Sequence, residues 1–143
     1  MSDIPWLDVA WRYLGVGEIP GPADSPDVLR FHASVDAAGA GDDVAWCSAF
    51  VNSCMEEAGL EGTDSRAARS WLAWGVPLTE PRYGCVCVLW RGSPDSWKGH
   101  VGLWIDEVGD EIVLLGGNQG NRVGVARYPK SRVLGYRWCD GEV

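Results

Sequence analysis

Trp46-Cys47-Ser48-Ala49-Phe50-Val51 sets a cysteine at the mouth of a helix, and the rest of the chain is read outward from it. From Val44 onward, apolar residues fall at Cys47, Phe50, Val51, Cys54, Met55 and Ala58, the spacing of an amphipathic helix. Asp42 and Asp43 stand before it as candidate caps, and Gly59 after it supplies a left-handed stop. Cys47 therefore falls in the first turn, where unpaired N–H groups and the helix dipole favour negative charge. A thiol there ionises more readily than one in mid-helix, and the thiolate is the nucleophile. Cys54, two turns deeper, lacks that advantage. The plainer reading of Cys47 is packing, since cysteine is often buried and this one lies on the apolar face. What shifts the balance stands downstream, at His100 and Asn118.

The 143 residues suffice for one domain, 1–143, with its own core. Nine tryptophans and 19 glycines point to large aromatic packing or a ligand groove, and to tight turns or close backbone approaches. A net charge of −8 with no Lys/Arg cluster argues against a nucleic-acid binder. It also argues against non-specific adhesion to anionic membranes or wall polymers, so an anionic substrate would need a specific groove. No apolar run is long enough to span a bilayer. Residues 1–5 show no basic region leading into an apolar stretch, so synthesis in the cytoplasm without a signal peptide is expected. Five cysteines exclude a complete disulfide framework. Cys85 and Cys87 are expected on one face of a strand. With Cys139 they read as small buried hydrophobes rather than a metal site, since no C-x-x-C pair accompanies them.

Trp6, Val9, Ala10, Tyr13 and Leu14 predict an opening helix over 5–14. A loop follows, in which Glu18 is a candidate cleft carboxylate. Asp24-Ser25-Pro26 opens a shorter helix through Val28, Leu29, His32 and Val35, with His32 read as a packed histidine. Thr63 or Asp64 caps a third stretch of helix carrying Ala67, Ala68, Trp71 and Leu72, which Gly75 and Pro77 end. From there the period changes to two, and strands are expected at 85–90, 99–105, 111–116, 122–128 and 133–138. In the second, Val101, Leu103 and Ile105 face one way, and His100, Gly102 and Trp104 the other. Helices first and strands afterwards indicate an α+β domain.

A three-residue hairpin loop, Val108-Gly109-Asp110, sets Glu107 opposite Glu111 and carries His100 opposite Asn118. Opposed residues have Cβ atoms about 5 Å apart, within reach of a side-chain hydrogen bond. A two-residue loop shifts the pairing by one and brings Gly117 opposite His100 instead. In the first register, His100 can take the thiol proton and return it to a leaving amine, while Asn118 holds the other ring nitrogen. Gly99, Gly102, Gly116 and Gly117 would let a substrate backbone come close.

Trp46-Cys47-Ser48-Ala49-Phe50-Val51, Gly99-His100-Val101-Gly102 and Gly116-Gly117-Asn118-Gln119 together resemble the motifs of CHAP and NlpC-type cysteine peptidases, papain-like peptidoglycan hydrolases. A small phage- and prophage-associated branch is also similar in Gly17-Glu18-Ile19-Pro20-Gly21 and in the Ser70-Trp71-Leu72 and Trp74-Gly75 stretch. The resemblance runs from about Trp6 to Trp138. It implies a papain-like α+β fold, with N-terminal helices packed on a C-terminal antiparallel sheet. It implies Cys47 as nucleophile, His100 as base and Asn118 as the orienting residue of a thiol peptidase that needs no cofactor and no metal. The bond cut would be an amide of peptidoglycan, in the stem peptide or between sugar and peptide, as an endolysin does. The N–H of Cys47 would be one oxyanion donor, with Trp46, Gln119 and Glu18 completing the candidate cleft.

Peptidoglycan is the implied partner, joined in a toxin or secretion setting by an inhibitor protein or a delivery partner. The implied place of action is the cell wall or periplasm, reached after release or delivery. Two departures stand out. Gly116 occupies the place where many CHAP domains carry a glutamate, leaving Asn118 or Gln119 to act alone, and Gly84-Cys85 stands where Gly-Asp is usual. Two rival readings use the same fold. One is a toxin-like deamidase or transglutaminase acting on a protein side chain, and the other a non-enzymatic phage structural or binding module.

Overall fold

The computed structural model describes residues 4–17, 31, 46–120 and 122–140. The expectations for Glu18, for the helix opening at Asp24, for His32 and for the caps Asp42 and Asp43 lie outside the described residues. Phe31 is described, helical and fully buried.

Pro5–Arg12 forms α1, with Pro5 in the first turn, where its missing N–H costs nothing. The helix stops at Tyr13, a little short of the expected end. Cys47–Glu57 forms α2, and Gly59, at φ 84°, follows its end in the left-handed conformation. One property departs from expectation. The spacing predicts a helix with one wet face, yet every residue from Cys47 to Met55 is buried.

The polar members of that run are satisfied by the segment that follows. Ser48 Oγ donates to Ser65 O at 2.7 Å and accepts from Trp71 Nε1 at 2.9 Å. Asn52 Nδ2 donates to Ser48 O at 3.1 Å, and Asn52 Oδ1 accepts from Asp64 N at 2.9 Å. Buried polar groups are tolerated when paired in this way. The network fastens residues 63–71 to the flank of α2 nearest Cys47. Within that segment Ala68–Ala73 coils as a 3₁₀ turn, and Trp71 enters the core.

Six strands make one sheet: β1 (Val76–Leu78), β2 (Val86–Trp90), β3 (Gly99–Val108), β4 (Glu111–Gly116), β5 (Gly124–Pro129) and β6 (Val133–Trp138). Their order is β1-β6-β2-β3-β4-β5, with every pairing antiparallel. β1 is the strand that the sequence hides. Pro77 reads as a helix stop, but on an edge strand it need not donate to the ladder.

Val86, Val88, Val101, Leu103 and Leu115 pack against the helices in the main core. Cys87, Leu89, Ile112 and Leu114 form a smaller cluster on the opposite face. Cys85 belongs to the first group and Cys87 to the second, so the two do not share a face. The reason is that Cys85 precedes the strand, and regular alternation begins only at Val86.

The β3–β4 hairpin turns on two residues, Gly109-Asp110, with Val108 opposite Glu111. A bulge at Ile105 then adds one residue to β3, so that Trp104 faces Leu114 and Leu103 faces Leu115. Beyond the bulge the expected register is recovered, because the extra residue offsets the shorter loop. The ladder ends at Gly116, before it reaches the level of His100.

Candidate active site

Gly117 lets the helix mouth and the sheet meet. A Cβ there would lie 2.6 Å from Phe50 Cβ and 2.8 Å from the Trp46 ring, so only glycine allows so close an approach. Trp46 itself is fully buried and stacks on Phe31 with ring centroids 5.7 Å apart, which makes it a support for Cys47 and not a cleft wall. Docked in this way, Cys47 is 8% exposed. Its sulfur is hydrogen-bonded by the His100 ring and by the backbone N–H groups of Val101 and Ser48.

His100 is the second residue of β3, alternate to the core residue Val101, as the strand period requires. Its ring is held from the far side. The chain leaves β4 at Gly116 and passes Asn118 in the left-handed region, at φ 57°. It returns with Gln119 over Gly116, where a Cβ would lie 2.8 Å from Gln119 Oε1. Gln119 Nε2 donates to Leu114 O at 3.0 Å and to Gly124 O at 2.7 Å. With both amide hydrogens taken, it is Oε1 that faces His100 Nε2, at 2.9 Å.

An amide oxygen can only accept, so His100 Nε2 carries the proton and Nδ1 is left for the sulfur. That is the tautomer a base acting on a thiol needs. Tyr128 Oη lies 3.1 Å from the same Nε2, its ring centroid 5.1 Å from the imidazole. Arg132 stands over the Tyr128 ring at 5.6 Å and is anchored by Nε donating to Trp90 O at 3.0 Å.

The structure thus brings Cys47, His100 and Gln119 together, and Asn118 is not the residue bonded to the ring. The reason is local: the turn at 118 sends the next side chain, not its own, back across β4. Gly116 was the available signal, because a missing side chain beside a histidine leaves room for an amide. Tyr128 carried no sequence signal, since its nearness to His100 follows only from the strand order.

Burial by itself would raise the Cys47 thiol. The charge of His100, its hydrogen bond and the two N–H groups outweigh burial and hold the thiol below its ordinary range. Burial likewise lowers His100, but the Cys47 charge and hydrogen bond, with Gln119 behind them, leave it raised. The two shifts favour a thiolate–imidazolium pair. Burial acts unopposed elsewhere: Cys54 and Cys87 are raised far above the thiol range, and Cys85 is pushed up to about 11. Tyr128 is pushed up to about 12 by burial and then by Cys47, so it stays a neutral phenol.

Cys47 opens on a cleft of about 260 Å³ whose walls include Arg66, Ala67, Arg91 and Trp97. Among the described residues, no group of three or more His, Cys, Asp or Glu is placed to hold a metal ion. No helix among them is long and apolar enough to cross a membrane.

The fold is of the NlpC/P60 type. It is similar to the crystal structure of a Staphylococcus aureus subsp. aureus Mu50 protein described as similar to a lipoprotein of the NLP/P60 family, with a TM-score of 0.56 and 16% identity. The likeness covers 99% of this chain and 43% of that one, so this chain spans less than half the length of its neighbour. At that identity the likeness is one of architecture. No protein-family model matches the chain, and no curated protein matches it.

Proposed function

We propose that this chain is a cysteine hydrolase that cuts amide bonds of bacterial peptidoglycan, acting at the wall after release or delivery. Cys47 is the nucleophile, His100 the proton carrier and Gln119 the residue that fixes the ring. One observation carries the reading: the unbroken Cys47–His100–Gln119 line of hydrogen bonds at the edge of an open cleft. The wall as substrate is supported by the sequence motifs and by the family named for the structural neighbour.

The steps follow from the tautomer. The Cys47 thiolate attacks the scissile carbonyl carbon, forming a C–S bond and an oxyanion. The N–H of Cys47 is free to meet that oxyanion, because the first ladder bond of α2 runs from Phe50 N to Trp46 O at 2.9 Å. As the C–N bond breaks, His100 Nδ1–H protonates the departing amine. Water then gives a proton to His100, attacks the thioester and releases the acid and the thiolate. Gln119 accepts from Nε2–H throughout, so the ring cannot turn away from the sulfur.

Digestion of purified sacculi by wild type and Cys47→Ala, read by mass spectrometry, tests this. Wild type should release fragments with new amine and carboxyl ends, and Cys47→Ala none. No release by a protein whose Cys47 is rapidly alkylated would transfer the reading to a deamidase or transglutaminase. No release together with an unreactive Cys47 would end the enzymatic reading.

A further inference from the structure

The cleft carries a charge pattern that the hydrolytic steps do not use. Arg66 and Arg91 are the charged side chains lining it among the described residues, and no carboxylate joins them. The chain holds 20 acidic and 12 basic side chains, so a cleft lined without selection would be expected to include acids. Two other clefts show that composition. One, of about 370 Å³, is lined by Glu61 and Asp140, and the other, of about 260 Å³, by Glu56, Glu61 and Asp64. Charge is sorted by cleft, and the cationic one is the one that holds the reactive thiol.

The two arginines do not serve the sulfur. The side-chain charge acting on Cys47 is that of His100, which places both guanidinium groups beyond close range of the thiolate. They face the part of a ligand that lies away from the bond being cut. The wall between them is built, not loose. Arg69 donates to Lys98 O at 2.8 Å, to Pro94 O at 2.9 Å and to Ser93 O at 3.0 Å, tying the loop before β3 to the 3₁₀ turn. That loop presents Trp97 at 79% exposure on the same cleft. A large indole held in water beside a cationic pair is suited to contact with a ligand.

We propose that Arg66 and Arg91 form an anion subsite beside Cys47, with Trp97 as its apolar wall, so that the peptide cut carries a carboxylate next to its scissile amide. The inference rests on the hydrolase reading and names its substrate class. Guanidinium groups pair with carboxylates through paired N–H bonds, which a neutral carboxamide cannot match in strength. An acidic molecule gains from this arrangement, since bulk charge would otherwise repel an acidic substrate.

The test uses stem peptides in two forms, one with free carboxylates and one with the same groups converted to primary amides. Wild type should prefer the free acid by about tenfold or more in kcat/KM. Arg91→Gln and Arg66→Gln should each shrink that ratio, through KM rather than kcat, with Arg91→Lys recovering part of it. Equal kcat/KM for the two forms in wild type, or a ratio untouched in both variants, overturns the subsite and leaves the hydrolase reading standing. If neither form is cut, calorimetric binding of both peptides to Cys47→Ala decides. Tighter binding of the free acid, lost in Cys47→Ala/Arg91→Gln, keeps the subsite while the hydrolase reading falls. Equal or undetectable binding removes both.

Discussion

At the residue scale, the site turns on one N–H. His100 Nε2 is met by an amide oxygen at 2.9 Å and a phenol oxygen at 3.1 Å, and its proton assignment makes Nδ1 the working nitrogen. The active pair exists above the pKa of Cys47, which is lowered, and below that of His100, which is raised. The activity plateau should therefore begin below the ordinary thiol range of about 8.5 and end above the ordinary imidazole value of about 6.5. Gln119 is one of the groups raising His100, so Gln119→Ala should move the alkaline limb to lower pH. A hydrogen bond to a charged group contributes about 1.5–3 kcal/mol, so kcat/KM should fall about 10- to 100-fold. Asn118→Gly should stay within about threefold, because φ 57° suits glycine and no bond to the ring is lost. Paired pH–rate profiles of the two variants check the assignment. A loss in Asn118→Gly as large as in Gln119→Ala would return the orienting role to residue 118.

At the scale of elements, the decisive contact is between the first turn of α2 and the end of β4. Gly117→Ala would drive a methyl into Phe50 and Trp46, which are both fully buried and have no room to retreat. Overpacking of that kind costs about 1–3 kcal/mol, read as a lower urea midpoint. Alkylation of Cys47 should slow by more than that loss of stability implies, since the displaced helix mouth takes the sulfur from His100. An unchanged alkylation rate in a destabilised Gly117→Ala would mean that the contact serves packing alone.

The same elements explain what could be read from the chain. Cys47 and His100 were legible because each depends on a local period, one helical and one of two. Gln119 was not, because its position depends on a bulge at Ile105 and on a turn after the ladder ends, neither of which alternation reports. The wet face expected of α2 is absent because Ser48 and Asn52 find partners at Ser65, Asp64 and Trp71, a long-range fact. β1 was hidden by Pro77, whose role on an edge is visible only once β6 lies beside it.

At the scale of the whole molecule, one sheet serves two cores, and the five free cysteines report on both. Cys54 and Cys85 lie in the core between helices and sheet, Cys87 in the cluster on the other face, each at 0% exposure. Their thiols are raised by burial, so they react only from molecules that have opened, whereas Cys47 is lowered and faces its cleft. Native protein should therefore take up one equivalent of iodoacetamide at neutral pH, at Cys47. A domain of ordinary stability should protect Cys54 and Cys87 by a factor of about 10³ or more. Because the strands that bury Cys87 also floor the core that buries Cys54, the two protections should fall together as urea rises. Mass spectrometry of labelled peptides reads each site separately. If Cys87 becomes reactive at markedly lower urea than Cys54, the outer cluster opens on its own and the sheet does not unfold as one unit. Loss of Cys54 protection first would place the weak point at the helices. Coincident curves would mean that the thiolate of Cys47 is held in place by the full stability of the domain.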